Sequence, residues 1–117
     1  MTDPVVGQHL LVELGGCDPA RLDDPAAITA LIRGGAAAAG TRLLSEAVHR
    51  FQPMGVTGFG LLAESHLAVH TWPERGYAAV DLMTCRSDTD VDGVVAFLRA
   101  ALGAATAEVR LIDRRVP

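Results

Sequence analysis

The fold is decided by residues 56–85, which read VTGFGLLAESHLAVHTWPERGYAAVDLMTC. Apolar runs and alternation in this stretch predict three strands, at 58–63, 67–72 and 77–83. Three polar residues separate the first two strands, and the sequence Pro-Glu-Arg-Gly at 73–76 is typical of a turn before the third. The middle of the chain therefore predicts neighbouring strands of one sheet.

The rest of the chain predicts three further strands and two helices. The strands cover residues 8–14, 41–51 and 107–112, the first helix follows Asp23-Asp24-Pro25 and runs to about Gly40, and the second is capped by Asp88 or Asp90 and ends at Gly103. The order β-α-β-β-β-β-α-β predicts an α+β fold, a two-layer α/β sandwich in which a largely antiparallel sheet carries two helices on one face. Its other face needs a cover, so we expect a homodimer.

Composition bounds the class of protein. The 117 residues form one domain, 1–117, and half of them are hydrophobic. All ten basic residues are Arg, and a chain without Lys can neither anchor pyridoxal phosphate nor carry a P-loop lysine. The net charge of −4 argues against a nucleic-acid partner, and no apolar run approaches the roughly 20 residues that span a membrane.

Two cysteines and the start of the chain bear on location. Cys17 and Cys85 follow an amino terminus, Met1-Thr2-Asp3-Pro4, that lacks the basic start of a signal peptide. Free thiols are then expected, together with a cytoplasmic location.

Residue types in the central third allow several kinds of site. His66 and His70 are four residues apart, but on a strand that spacing is roughly 13 Å, so no metal site is expected. Ser65 lacks the G-x-S-x-G pattern of a hydrolase. Cys85 as a thiol nucleophile with His70 as its base remains an alternative. These observations alone indicate only a small domain with a polar cluster.

Three longer strings are more specific. They are Phe51-x-Pro-x-Gly-Val-Thr-Gly, Glu64-Ser65-His66-Leu67-x-x-His70-Thr71-Trp72-Pro73-Glu74 and Gly76-Tyr77-Ala78-Ala79-x-Asp81-x-x-Thr84-Cys85. Together they closely resemble the short bacterial and archaeal form of S-adenosylmethionine decarboxylase over residues 7–85, and the resemblance continues through the second helix and the last strand. That family makes a covalent pyruvoyl group from an internal serine, so the absence of Lys is consistent with it.

The resemblance implies that the chain cuts itself between Glu64 and Ser65. The Ser65 hydroxyl attacks the Glu64 carbonyl, the resulting ester is eliminated, and Ser65 becomes the pyruvoyl terminus of chain 65–117, leaving chain 1–64. His70 matches the histidine that moves protons during this processing. Thr57 stands where many members have a processing serine, and it keeps the hydroxyl.

The resemblance also implies a division of labour in decarboxylation. The pyruvoyl carbonyl forms the Schiff base, and Cys85 matches the cysteine that returns a proton to the substrate α-carbon. Phe51 and Trp72 match aromatic contacts to adenine, and Glu74 matches a carboxylate that binds the ribose hydroxyls. The product is the aminopropyl donor for spermidine, and the protomers that pair are the processed ones.

Two other functions stay open. Relatives use the same pyruvoyl chemistry on arginine or ornithine, and a non-catalytic paralogue could regulate a true decarboxylase, although Ser65, His70 and Cys85 are all present here. His9, His49 and His66 are given structural roles. Ser65 and His70 must come close together if both take part in processing. Five residues separate them, which is roughly 16 Å if the chain is extended, so we expect the chain to turn between them.

Overall fold

The protein is α+β, and its computed structural model describes residues 4–117, so Met1-Thr2-Asp3 of the expected domain 1–117 lie outside the described residues. The elements in chain order are β1 Val5–Gly15, α1 Pro19–Leu22, α2 Pro25–Ala38, β2 Leu43–Arg50, β3 Val56–Leu62, β4 Ser65–Trp72, a 3₁₀ turn Pro73–Arg75, β5 Tyr77–Thr84, α3 Val91–Leu102 and β6 Thr106–Arg115. The strands form one antiparallel sheet in the order β2-β3-β4-β5-β1-β6. Within the described part of the chain, no helix is long and apolar enough to cross a membrane.

The predicted strand and helix order is confirmed apart from one missed helix, and several predicted bounds shift by one to three residues. The sequence interpretation missed α1, because four residues are too few to show a helical period; the Asp18 side chain caps it by accepting the Ala20 amide. Strand β4 begins at Ser65, two residues earlier than predicted, so only Ala63 and Glu64 form the turn after β3. Of the two candidate caps for α3, Asp90 is the one whose side chain accepts a hydrogen bond from the backbone amide of Gly93.

Helix α2 packs closely on the sheet because β3 carries glycines where it crosses. A Cβ atom at Gly58 would lie 2.7 Å from Ile32 Cδ1 and 2.8 Å from Ile28 Cγ2, and one at Gly60 would lie 2.7 Å from Ile32 Cγ2. Both isoleucines are fully buried. The glycines that weaken β3 as an isolated strand therefore let the helix approach the sheet backbone.

The sheet has one covered and one open face. Alternate residues such as Leu67 and Val69 of β4 are buried beneath the helices. The residues between them point to the other face, which we call the open face. Large apolar side chains lie exposed there, including Phe59 and Leu61 of β3 and Ile112 of β6. The helices thus cover one face of the sheet only, as the sequence predicts.

Candidate active site

The β3–β4 turn holds Ser65 in a strained backbone conformation. Ser65 has φ 151°, and among residues 4–117 no other non-glycine residue has a positive φ. An L-amino acid rarely adopts this region, and such strain costs on the order of 1–3 kcal/mol. This strain lies directly at the peptide bond expected to be cut.

The carbonyl of that peptide bond already accepts a hydrogen bond. The backbone N–H of Cys85 donates to the carbonyl oxygen of Glu64 at 3.2 Å. Ser65 pairs with Thr84 across β4 and β5, so the residue after Thr84 reaches the turn. A donor at this oxygen stabilises the negative charge that forms when a nucleophile attacks the carbonyl carbon. The exposed Cys85 therefore lies at the predicted cleavage bond.

Arg86 anchors the turn from the side. Its Nε atom is 2.9 Å from Asp88 Oδ1 and 3.5 Å from Glu64 Oε2, and its Nη1 donates to the carbonyl of Gly40 at 2.7 Å. The hydrogen bond with Asp88 raises the pKa of Arg86 and lowers the pKa of Asp88. This guanidinium thus joins the Glu64 side chain to the loop after α2.

Thr57 and His70 meet at the other end of the sheet. They are direct partners across β3 and β4, and Thr57 Oγ1 lies 3.1 Å from His70 Nδ1. His70 is exposed and Thr57 is half-buried. The structure therefore brings together two of the residues that the sequence assigns to processing.

The aromatic residues assigned to the substrate are exposed and do not lie in the core. Phe51 is 47% exposed and Trp72 is 39% exposed. The Trp72 ring stacks on Tyr77 at 5.0 Å, and the Phe51 ring meets His49 edge-on at 4.6 Å. Burial and the hydrogen bond to Glu13 raise the pKa of Tyr77. Exposed ring faces of this kind can stack on a planar ligand.

Glu74 lines an open cleft of about 490 Å³. The other residues that line it are Pro19, Ala20, Asp23, Pro53, Met54 and Pro73. Asp23 fixes one wall, because its carboxylate accepts hydrogen bonds from Arg50 at 2.9 Å and from the Gly55 amide at 2.9 Å. Both hydrogen bonds lower the pKa of Asp23, and the bond from Arg50 has the larger effect.

The predicted site residues thus form two groups. The cleavage end consists of Glu64, Ser65 and Cys85, and the aromatic end consists of Phe51, Thr57, His70, Trp72 and Glu74. The expected turn between Ser65 and His70 is absent, since β4 runs without interruption through both. A strand of this length separates them by roughly 16 Å. One chain therefore keeps the two ends apart.

Sequence reasoning missed a third group, next to the cleavage end. Possible metal-binding atoms of His9, His66 and Asp81 all lie within 4.8 Å of one another on the open face. His66 Nδ1 is also 3.3 Å from Ser65 Oγ. The search for a metal site paired His66 with His70 along one strand, whereas strand pairing places β1 and β5 residues beside it. Two imidazoles and a carboxylate could hold a divalent ion; the absence of a metal remains a prediction.

Comparisons with known proteins identify the family of this chain. The family model described as S-adenosylmethionine decarboxylase matches residues 8–115. An S-adenosylmethionine decarboxylase proenzyme of Parasynechococcus marenigrum (strain WH8102) is 49% identical over 97% of this chain and 88% of its own length. A proenzyme of the same name from Methanococcus aeolicus is 38% identical over 93% of each chain.

A solved structure extends the comparison to three dimensions. The crystal structure of the adenosylmethionine decarboxylase from Aquifex aeolicus VF5 superposes with a TM-score of 0.86 at 32% identity, covering 97% of this chain and 93% of that one. The family model, the related sequences and the similar fold therefore agree over nearly the whole chain. The chain belongs to the S-adenosylmethionine decarboxylase family.

Proposed function

We propose that the protein is a self-processing, pyruvoyl-dependent decarboxylase of S-adenosylmethionine. The observation that carries the proposal is the strained Ser65, which follows a carbonyl that already accepts the Cys85 amide. A pyruvoyl group fits here because the serine, the preceding carbonyl and an oxyanion donor lie together in one turn. Family membership supports the choice of S-adenosylmethionine as substrate.

Self-processing uses residues of the cleavage end. Ser65 Oγ attacks the Glu64 carbonyl carbon, the C–N bond breaks, and the strained φ of Ser65 is relieved as the amide becomes an ester. The Cys85 amide stabilises the oxygen that carries the developing charge. Loss of the Ser65 α-proton then expels Glu64 as a carboxylate, and hydrolysis releases ammonia and leaves a ketone at residue 65.

Decarboxylation uses both ends. A pyruvoyl carbonyl supplies the electron sink that an amino acid needs to lose carbon dioxide. The exposed thiol of Cys85, whose backbone amide contacts the Glu64 carbonyl, donates the proton that replaces the carboxyl group. Phe51 and Trp72 stack on the adenine, and Glu74 accepts hydrogen bonds from the ribose hydroxyls. The product is the aminopropyl donor for spermidine.

Because one chain separates the two ends, we place a second copy on the open face. Two sheets that face each other about a two-fold axis perpendicular to β4 bring the cleavage end of one subunit towards the aromatic end of its partner. The exposed Phe59, Leu61 and Ile112 supply apolar area for such a contact. The active unit is then a homodimer with Thr57 and His70 contributed in trans. Both cysteines are free thiols, which supports a cytoplasmic location.

Intact-mass spectrometry of the purified protein tests the proposal. Wild type should separate into chains 1–64 and 65–117, the second with a carbonyl-reactive terminus that borohydride inactivates. Ser65→Ala should remain one chain. Processed protein should then release carbon dioxide from S-adenosylmethionine in preference to arginine and ornithine.

The outcomes separate the parts of the proposal. Persistent full-length wild type without a reactive terminus contradicts self-processing and favours a non-catalytic regulatory paralogue. Normal cleavage with preference for arginine or ornithine keeps the pyruvoyl chemistry and overturns the choice of substrate.

A further inference from the structure

A histidine lies directly against the nucleophile of the cleavage end. His66 Nδ1 is 3.3 Å from Ser65 Oγ, and both side chains are half-buried. On the opposite edge of the ring, His66 Nε2 is 3.5 Å from Asp81 Oδ1. Asp81 lies two residues along β5 from the direct partner of His66, on the same face, so the pair is a diagonal cross-strand contact. Serine, imidazole and carboxylate are thus in line.

The imidazole ring is held in this orientation by its neighbours. Phe59 stacks on it with ring centroids 5.6 Å apart and planes 17° apart. His9 meets it nearly at a right angle, with centroids 6.2 Å apart. Phe59 therefore packs on one face of the ring, and together with His9 it restricts the orientation of both nitrogens.

The carboxylate determines which nitrogen carries the proton. Asp81 Oδ1 is buried and has no hydrogen-bond partner, while Asp81 Oδ2 is 3.9 Å from His9 Nε2. A buried acceptor is stabilised by a nearby donor, and a proton on His66 Nε2 supplies one. The His66 lone pair then lies on Nδ1, facing the Ser65 hydroxyl.

We propose that His66 is the catalytic base of self-cleavage and that Asp81 is its positioning residue. This inference rests on the proposed self-processing and adds the group that starts it. His70 cannot take this role within the same subunit, because it lies at the far end of β4.

In the proposed step, His66 moves one proton from the Ser65 hydroxyl to the Ser65 nitrogen. His66 Nδ1 takes the proton from Ser65 Oγ as the oxygen bonds to the Glu64 carbonyl carbon. The imidazolium is stabilised by the Asp81 carboxylate. When the C–N bond breaks, His66 returns the proton to the departing Ser65 nitrogen. An amide has then become an ester and a free amine, and His66 is again neutral.

Substitution of His66 tests the base directly. We expect His66→Ala to cleave about 10²–10⁴-fold more slowly than wild type, the usual effect of losing a positioned base. His66→Phe is the matched control, because it keeps a flat ring against Phe59 but has no nitrogen. It should be as slow as His66→Ala, and added imidazole should accelerate only the alanine variant. Circular dichroism confirms that each variant folds.

Hydroxylamine identifies the step that stops. A chain stalled before the attack retains an amide between residues 64 and 65, which neutral hydroxylamine does not cut, whereas a chain stalled afterwards contains a labile ester. We expect uncut His66→Ala to resist hydroxylamine. An accumulated ester would assign His66 to the later elimination and overturn the proposal.

Nitrogen NMR tests Asp81 without relying on cleavage. In Ser65→Ala, which stays one chain, the imidazole of His66 should carry its proton on Nε2. Adding Asp81→Asn offers an amide donor at the same place and should move the proton to Nδ1, and Asp81→Asn alone should cleave slowly. An unchanged tautomer and a wild-type rate would show that Asp81 does not position His66.

Two further results would overturn the inference. Cleavage that stops with EDTA and returns with zinc would make His9, His66 and Asp81 a metal site. Rapid cleavage of both His66 variants would leave His66 as a packing residue while self-processing stands. If wild type itself fails to cleave, the proposed function fails as well, so the two failures are distinguishable.

Discussion

The two ends of β4 differ in what each needs in order to act. At the cleavage end, the reacting groups come from one turn and the strand beside it, and the backbone itself supplies the strain and the oxyanion donor. At the aromatic end, the assigned residues are exposed or half-buried side chains arranged along a surface. The comparison indicates that the groups for the first attack lie within a single chain. In the proposed dimer, the aromatic end of the partner subunit would complete processing and recognition.

The largest effect expected is complementation between variants that are each inactive in processing. Ser65→Ala lacks the nucleophile, and His70→Ala lacks the proton carrier of the aromatic end. If the ends meet across subunits, unfolding and refolding the two together should let the His70→Ala chain be cut, in about half of those chains for random pairing. Mass spectrometry distinguishes the chains.

Each variant refolded alone is the control and should stay uncut. A mixture that also stays uncut would show that the two ends do not combine in trans, and the dimer arrangement would have to be abandoned.

Cys85→Ala should separate the two activities of the cleavage end. Cleavage should stay near normal, because the backbone amide that contacts the Glu64 carbonyl is retained. Turnover should fall by about 10²–10⁴-fold, since a positioned proton donor is lost. Protonation at the wrong carbon should also convert the terminus of chain 65–117 to alanine faster than in wild type. Equal turnover and equal alanine formation would leave Cys85 without a role as proton donor.

Glu74→Gln should affect the aromatic end alone. A hydrogen bond to a charged group contributes about 1.5–3 kcal/mol, so we expect kcat/KM for S-adenosylmethionine to fall roughly ten- to hundredfold. Self-cleavage should be unchanged. Glu108→Gln, an exposed carboxylate on β6, is the matched control. Wild-type kinetics in Glu74→Gln would remove Glu74 from the ribose site.

The smallest effect concerns pH and the loop that carries Phe51. The hydrogen bond from Arg50, with that from Gly55, lowers the pKa of Asp23. A carboxyl group with a lowered pKa stabilises the folded state above its unfolded value of about 3.9, and this contribution is lost as the pH falls through the lower, folded value. Asp23→Asn should therefore reduce the melting temperature at pH 7 and approach wild type near pH 3. A constant difference across this range would contradict the assignment.

Much of the fold could be predicted because its signals are local. Strand alternation, the Pro-Glu-Arg-Gly turn and the aspartate caps each depend on residues a few positions apart. The motif strings likewise sufficed for the family, which the comparisons confirm. Helix α1 was missed because one turn of helix has too few residues to show a period.

The division of the site into two ends follows from the tertiary structure and not from local patterns. The sequence places Ser65 and His70 five residues apart and separates Ser65 from Asp81 by sixteen. In the fold, β4 holds the first pair apart, while strand pairing brings Asp81 to His66 beside Ser65. Distance along an extended strand grows with every residue, but distance between strands is set by hydrogen-bond register, which joins segments remote in the chain. Local sequence patterns thus predict most of the elements and the family, whereas the register of the strands determines which side chains can react together.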